Sequence, residues 1–127
     1  MIASLLDHLD RLAAEHPDKL LYSFLDVNGD PIESYTYASF LHRTKAIAGH
    51  LRKEGRFAAG DRLLLVYPPG LEMICAFFGC VRAGLIPVPV YPPSSRSFQS
   101  ALYKMVHIAK DCNAAAILTN QDQHASL

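Results

Sequence analysis

Residues 67–93 read YPPGLEMICAFFGCVRAGLIPVPVYPP and decide the fold of this chain. Tyr67-Pro68-Pro69-Gly70 predicts a stiff turn, because each proline fixes its own φ. Gly70 has no side chain and so allows close approach to the backbone. A helix that is apolar nearly all round is predicted over 71–83, and it ends at Gly84. A strand over 86–90 and a second Tyr-Pro-Pro complete the stretch, which therefore contains one strand-to-strand crossover.

The rest of the chain extends this alternation on both sides. The continuous aliphatic run 63–66 is typical of a strand covered on both faces in a parallel sheet. Segments 20–27 and 32–37 flank Asn28-Gly29, a pair that favours a tight hairpin turn. The other predicted elements are a helix that opens the chain and ends at His16-Pro17, a helix capped by Thr36 and Gly55, a helix over about 100–112 capped by Asn113, and a strand over 115–119. We therefore expect an α/β fold in residues 1–127, with a doubly wound, mostly parallel sheet, flanking helices and an N-terminal β-hairpin.

Pro87 and Pro89 constrain how the strand over 86–90 can pair. Backbone amides two residues apart point to the same side of a strand, and both of these residues lack the amide hydrogen. That side cannot carry a normal ladder of hydrogen bonds. The strand is therefore expected to pair on one side only, or to border a loop or a ligand channel.

Composition excludes several functional classes. Twelve basic and twelve acidic residues cancel, which gives no support for binding to nucleic acid or to anionic membranes. The longest uncharged apolar run, 73–81, is far shorter than the roughly 20 residues of a membrane-spanning helix. The start of the chain lacks a basic segment and has an acid at Asp7, which argues against a secretory signal. Cys75 and Cys80 fit small apolar residues in a reducing compartment, so we expect a cytoplasmic protein.

Motifs for common chemistries are missing from the sequence. It contains no GxxxxGK[ST] or GxGxxG loop for nucleotide phosphates and no GxSxG nucleophile elbow. The six histidines show no HExxH spacing, and none stands near a cysteine pair as a zinc site requires. Residues 67–93 therefore hold the candidate functional residues of the sequence.

The turn at residues 67–70 lies at the carboxyl end of a predicted parallel strand, which is the edge where open α/β sheets bind ligands. A rigid turn without any ligand explains the same residues equally well. The helix over 71–83 fits a core helix buried between layers, and it also fits the wall of an apolar tunnel formed by Met73, Phe77 or Phe78. Both interpretations of the helix can hold on its opposite sides.

Three parts of the sequence together resemble the amino-terminal region of adenylate-forming ligases. They are YTYASF at residues 35–40, GDR at residues 60–62 and the stretch 67–93. This group includes acyl-CoA synthetases, the adenylation domains of peptide synthetases, and luciferases. The paired Tyr-Pro-Pro signatures and FFGC at residues 77–80 are most similar to the fatty acyl-AMP ligase branch.

The resemblance implies a reaction in which ATP and a fatty acid give an acyl adenylate, with magnesium screening the phosphates. The acyl group would pass to an acyl carrier protein and feed lipid, polyketide or lipopeptide assembly. The residues that would wall the acyl tunnel are Tyr67, Pro68, Pro69, Gly70, Met73, Phe77, Phe78, Tyr91, Pro92 and Pro93. The phosphate loop, ribose-binding aspartate and catalytic lysine of the family have no counterpart in this sequence, so none of its residues is assigned to ATP or magnesium and the chain alone is expected to be inactive. Ser39 replaces an acidic residue of the relatives, which is expected to remove a capping box.

Two alternatives stay open. The chain resembles acyl-CoA synthetases as well, in which coenzyme A is the acceptor. It also fits a stand-alone, non-enzymatic α/β module that binds a lipid or a protein. Three parallel strands and an apolar helix with little cover predict exposed hydrophobic patches beside the helix over 71–83, and a tendency to self-associate.

Overall fold

The computed structural model describes residues 4–94 and 96–126, apart from the side chains of residues 123, 125 and 126. Residues 1–3, 95 and 127, which the sequence predictions also covered, lie outside the described residues. In chain order the elements are α1 (Leu5–Glu15), β1 (Leu20–Leu25), β2 (Pro31–Thr36), α2 (Tyr37–Glu54), β3 (Arg62–Val66), α3 (Leu71–Arg82), β4 (Ile86–Val90), α4 (Phe98–Asp111), β5 (Ala116–Thr119) and α5 (Gln121–Ser126).

Three of the strands form a parallel sheet in the order β4-β3-β5. β3 lies in the middle, with Leu64 opposite Val88 of β4 and Ile117 of β5. The side chains of residues 63–66 are completely buried, as expected for a strand covered on both faces. Within the part of the chain that the structure describes, β4 pairs with β3 alone. The one-sided pairing predicted from its two prolines is therefore confirmed.

Helices cover both faces of this sheet. Successive side chains of β3 point to opposite faces, so each face has its own buried cluster. The cluster under α2 and α3 contains Leu51, Leu63, Leu65, Ala76, Cys80 and Leu85. The cluster under α4 contains Leu64, Val66 and Met105. The doubly wound α/β arrangement predicted from the sequence is thus confirmed.

Helices α2 and α3 pack closely against each other at Gly79. A Cβ atom placed on Gly79 would lie 2.4 Å from Cγ2 of Ile47 and 2.7 Å from its Cβ. Thr44, one turn earlier on α2, is completely buried, and its hydroxyl donates a hydrogen bond to the Leu41 carbonyl at 3.1 Å. The missing side chain of Gly79 is what allows the two helices to approach.

The N-terminal hairpin forms as predicted, although its first strand is shorter than expected. The side chain of Asp26 accepts hydrogen bonds from the backbone amides of Asn28, at 2.8 Å, and Asp30, at 3.0 Å. These bonds begin the turn at Asp26, so β1 ends at Leu25 and not at residue 27. Gly29 takes the positive φ, 85°, that the turn requires.

Capping boxes begin both α1 and α2. At α1, Ser4 and Asp7 exchange side-chain and backbone hydrogen bonds. At α2, Thr36 accepts from the Ser39 amide at 3.1 Å, and the Ser39 hydroxyl accepts from the Thr36 amide at 2.9 Å. The expectation that Ser39 removes this box is therefore wrong, because a serine hydroxyl reaches the same amide that a carboxylate would.

Two buried or half-buried arginines connect distant elements. Arg62 donates to the carbonyls of Cys112, at 2.8 Å, and Asn113, at 2.9 Å, which holds the end of α4 against the start of β3. Asn113 has a φ of 52° and ends α4, as predicted. Arg82 of α3 forms a bidentate ion pair with Asp10 of α1, in which the two guanidinium nitrogens Nη2 and Nη1 lie 2.7 and 3.1 Å from the two carboxylate oxygens.

Large apolar side chains are exposed mainly at three places: the hairpin, the outer side of α4 and the edges of the parallel sheet. On α3 itself, Met73, Ile74, Phe77 and Phe78 are half-buried. At these three places the exposed side chains are Leu20, Phe24, Leu25, Val27 and Ile32 in the hairpin region, Tyr103, Val106 and Ile108 on α4, and Ile86, Tyr91 and Ile117 at the sheet edges. Self-association through these surfaces stays a prediction.

Candidate functional site

The candidate site lies at the carboxyl end of the parallel sheet, where β3 passes into the turn before α3. Tyr67 is half-buried, and Pro68 and Pro69 are exposed. Gly70 is the N-cap of α3, and a Cβ placed on it would meet none of the described atoms within 4 Å. The hydroxyl of Thr119, at the end of β5, donates to the Val66 carbonyl at 2.6 Å and holds the two strand ends together.

An apolar cavity of about 410 Å³ opens beside this turn. It is lined by Tyr67, Pro68, Pro69, Met73, Pro89, Val90, Tyr91 and Ile108. Half of the ten residues predicted to wall a tunnel therefore meet around one cavity. Pro89 and Val90 belong to the strand that was predicted to border a channel. Ile108 comes from α4, and sequence reasoning missed it.

The other predicted residues lie elsewhere. Phe78 packs edge-on against Phe40 of α2, with ring centroids 5.5 Å apart, and Phe77 contacts Phe78 at 5.6 Å. Tyr22 and Tyr35 of the hairpin extend this aromatic cluster, at 5.3 and 6.0 Å from Phe40. Gly70, Pro92 and Pro93 do not line the cavity either, and Pro93 is buried. For these residues a role in an acyl tunnel stays a prediction.

A second, polar cavity of about 620 Å³ lies on the other side of Tyr67. Its lining comes from the hairpin, α2, α3 and the segment after β5, and comprises Glu33, Tyr35, Arg43, Tyr67, Glu72, Thr119, Asn120, Gln121 and Asp122. Tyr67 lines both cavities. Sequence reasoning missed the polar cavity, because no local motif joins residues that come from four separate segments.

Two tyrosines that line these cavities, Tyr67 and Tyr35, and the neighbouring thiol of Cys75 are held in their neutral forms. Burial, and then the negative charge of Glu72, raise the pKa of Tyr67. Burial and a hydrogen bond with Cys75 raise the pKa of Tyr35 to about 12. Burial likewise raises the pKa of the Cys75 thiol. At neutral pH the two hydroxyls therefore bind as uncharged groups, and the thiol is a poor nucleophile.

The charged side chains that line the polar cavity are mostly acidic. Among the described residues that line it, three carry carboxylates (Glu33, Glu72 and Asp122) and one, Arg43, carries a guanidinium. A polyphosphate placed there would meet a net negative lining, which costs free energy. Among the described residues, no group of three or more His, Cys, Asp or Glu side chains is placed to hold a metal ion. The cavity beside the Tyr67 turn can hold an apolar ligand.

Within the described part of the chain, no helix combines the length and the apolar character needed to cross a bilayer. The longest helix, α2, has 18 residues and carries several charged side chains.

Sequence comparison relates this chain to one family of enzymes. Residues 9–127 match the family described as AMP-binding enzyme. The medium-chain-fatty-acid–acyl-carrier-protein ligase JamA of Moorena producens is 32% identical over 125 residues, covering 98% of this chain and 21% of JamA. The long-chain-fatty-acid–AMP ligase FadD32 of Mycolicibacterium smegmatis is 34% identical over 124 residues, covering 94% of this chain and 19% of FadD32. Human Disco-interacting protein 2 homolog B is 38% identical over 105 residues, covering 83% of this chain and 7% of that protein.

Structural comparison leads to the same group. The crystal structure of a fatty acid AMP ligase from Legionella pneumophila superposes with a TM-score of 0.88 at 36% identity, covering 97% of this chain and 20% of that one. The chain thus spans about a fifth of the ligases it matches and 7% of the Disco-interacting protein. The chain belongs to the AMP-binding enzyme family, with the sequence and fold of part of an adenylate-forming domain of the fatty acyl-AMP ligase type.

Proposed function

We propose that this chain forms part of a domain that activates fatty acids, and that its apolar cavity holds the acyl tail. The observation that carries this proposal is the cavity of about 410 Å³ between the Tyr67 turn, Met73 of α3 and Tyr91 after β4. Its walls are mainly prolines and aliphatic or aromatic side chains, which favour an alkyl chain. Burial of such a chain contributes about 0.8 kcal/mol per CH₂.

The proposed reaction has two steps. An oxygen of the fatty acid carboxylate attacks the α-phosphorus of ATP, and pyrophosphate leaves as the acyl adenylate forms. The phosphopantetheine thiol of an acyl carrier protein then takes the acyl group, and AMP leaves. The names of two relatives support these steps, since JamA is a fatty acid–acyl-carrier-protein ligase and FadD32 a fatty acid–AMP ligase. Such products serve lipid, polyketide or lipopeptide assembly.

In this proposal the chain contributes to binding, and ATP and magnesium are held by groups outside it. The net negative lining of the polar cavity supports this division, as does the span of about a fifth of the ligase relatives. The 127-residue chain alone is therefore proposed to be inactive. Its three free cysteines fit a reducing cytoplasm.

The test is fatty-acid-dependent exchange between ATP and labelled pyrophosphate. The full-length protein that carries this chain is expected to catalyse exchange, and the 127-residue chain alone is not. Absence of exchange in the full-length protein with every saturated acid tried would refute the fatty acid assignment. Exchange by the chain alone would refute its proposed inactivity. Single-turnover transfer from acyl-AMP to an acyl carrier protein, compared with free coenzyme A, separates the two possible acceptors.

A non-catalytic protein-binding role is the second candidate. It is favoured by the 38% identity to a protein named for an interaction with Disco, and by the exposed apolar side chains of the hairpin, among them Val27 and Ile32. Exchange activity in the full-length protein would favour the ligase. Saturable binding of a protein partner without any exchange would favour the non-catalytic role.

A further inference from the structure

A second, smaller cavity adjoins the apolar one. Its volume is about 230 Å³, and it lies between the end of β4 and helix α4. Three residues line both cavities: Val90, Tyr91 and Ile108. These residues therefore form the partition between a wide apolar cavity and a narrower continuation beneath α4.

The three partition residues differ in how firmly they are held. Val90 is fixed in the sheet by its pairing with Val66. Tyr91 is 87% exposed, so its ring can swing aside with little loss of packing. Ile108 is β-branched and sits on a helix, where its χ1 angle is strongly restricted. Ile108 is thus the conformationally restricted side chain of the partition. Because it lies on α4, a substitution there leaves the sheet unchanged.

The continuation beyond Ile108 is suited to more alkyl chain. Its inner wall includes Ala101 and the buried side chain of Met105, both on α4. Ser97, Ser100 and Lys104 line the same cavity and are exposed, so its outer end is polar and open to water. Binding of an alkyl chain becomes more favourable as far as the chain buries apolar surface in this cavity, and extending it past the polar end adds no further binding free energy.

We propose that Ile108 limits the length of the acyl chain that the protein accepts. This inference rests on the proposed function, in which the tail of a fatty acid occupies the wide cavity. The far end of the tail meets the Ile108 side chain, and a longer acid must displace it to enter the continuation. Ile108 is therefore a specificity-determining residue and takes no part in the chemistry.

The experiment compares saturated fatty acids of increasing length in pyrophosphate exchange by the full-length protein and two variants. Ile108→Ala joins the two cavities, so the preferred length moves to longer acids, with kcat/KM rising about fourfold for each extra CH₂ that becomes buried. Ile108→Phe narrows the passage, so the preferred length moves to shorter acids. The matched control is Val106→Ala, because Val106 is also an exposed aliphatic on α4 but lines a different cavity.

The outcomes are separable. Opposite shifts in the two Ile108 variants, with an unchanged length profile in Val106→Ala, support the inference. Exchange with the same length profile in the wild type and both Ile108 variants overturns it and leaves the proposed function standing. No fatty-acid-dependent exchange in the wild type overturns the proposed function and, with it, this inference. Because Ile108 is 37% exposed, both variants are expected to fold, which thermal unfolding checks directly.

Discussion

The contact between α2 and α3 gives a sharp prediction for the variant Gly79→Ala. The added Cβ would lie 2.4 Å from Cγ2 of Ile47 and 2.7 Å from its Cβ, both closer than carbon atoms can approach. A rotation of the Ile47 side chain moves Cγ2 but leaves its Cβ in place. The two helices must therefore separate, and the buried cluster between them and the sheet must loosen.

The magnitude follows from two opposing contributions. Overpacking of a well-packed core costs about 1–3 kcal/mol, and a contact with a fixed Cβ lies at the upper end of that range. Alanine has a higher helix propensity than glycine, which offsets about 1 kcal/mol of this cost. The free energy of unfolding is thus expected to fall by about 2 kcal/mol. For a chain of this size the midpoint of thermal unfolding should fall by roughly 8 °C.

The assay is thermal unfolding of the 127-residue chain, followed by circular dichroism at fixed protein concentration. Gly49→Ala is the matched control, because Gly49 is an exposed residue of α2 and an added Cβ there meets nothing within 4 Å. That control should gain up to about 1 kcal/mol from helix propensity alone. A Gly79→Ala variant as stable as the wild type, alongside a stabilised Gly49→Ala, would refute the close helix contact.

Two further predictions concern charge and thiol reactivity. The Arg82 guanidinium holds the pKa of Asp10 below 3.8, so this ion pair stabilises the fold above that pH and loses its effect as the pH falls through the lowered value. Asp10→Asn should therefore lower stability at pH 7 by less than about 1 kcal/mol, because the carboxylate is partly exposed, and the difference from the wild type should shrink as the pH falls through the lowered pKa. Burial raises the pKa of Cys75, and that of Cys80 to about 11, so a thiol reagent at pH 8 should label Cys112 first. Equal labelling rates for all three thiols in the folded chain would contradict the burial of the first two.

Local patterns were sufficient to predict most of the fold. The aliphatic run of β3, the stiff turn at residues 67–70 and the apolar α3 predicted the crossover, because each pattern acts within a few residues. The two prolines of β4 predicted its edge position for the same reason. The predicted end of β1 and the predicted loss of the Ser39 cap were wrong, because each depends on the hydrogen bonds of a single side chain, that of Asp26 and that of Ser39.

The site was less predictable than the fold, since its residues converge from distant parts of the chain. Because α3 has apolar residues on all sides, its sequence does not predict which of its faces meets the cavity. Met73 faces it, whereas Phe77 and Phe78 join an aromatic cluster centred on Phe40. No local sequence pattern predicts Ile108 as a site residue, because only the packing of α4 brings it to the apolar cavity. The polar cavity has no local pattern either, because its residues meet only when the hairpin and α2 pack together.

The central claim is that the cavity between the Tyr67 turn, Met73 and Tyr91 holds an acyl tail. The most direct measurement is photocrosslinking of the full-length protein with a fatty acid that carries a diazirine at its terminal carbon, followed by mass spectrometry of the peptides. We expect adducts within residues 67–73, 89–91 or at Ile108, suppressed by an excess of the unmodified acid. Adducts that are competed by the unmodified acid but lie entirely outside these residues would contradict the claim.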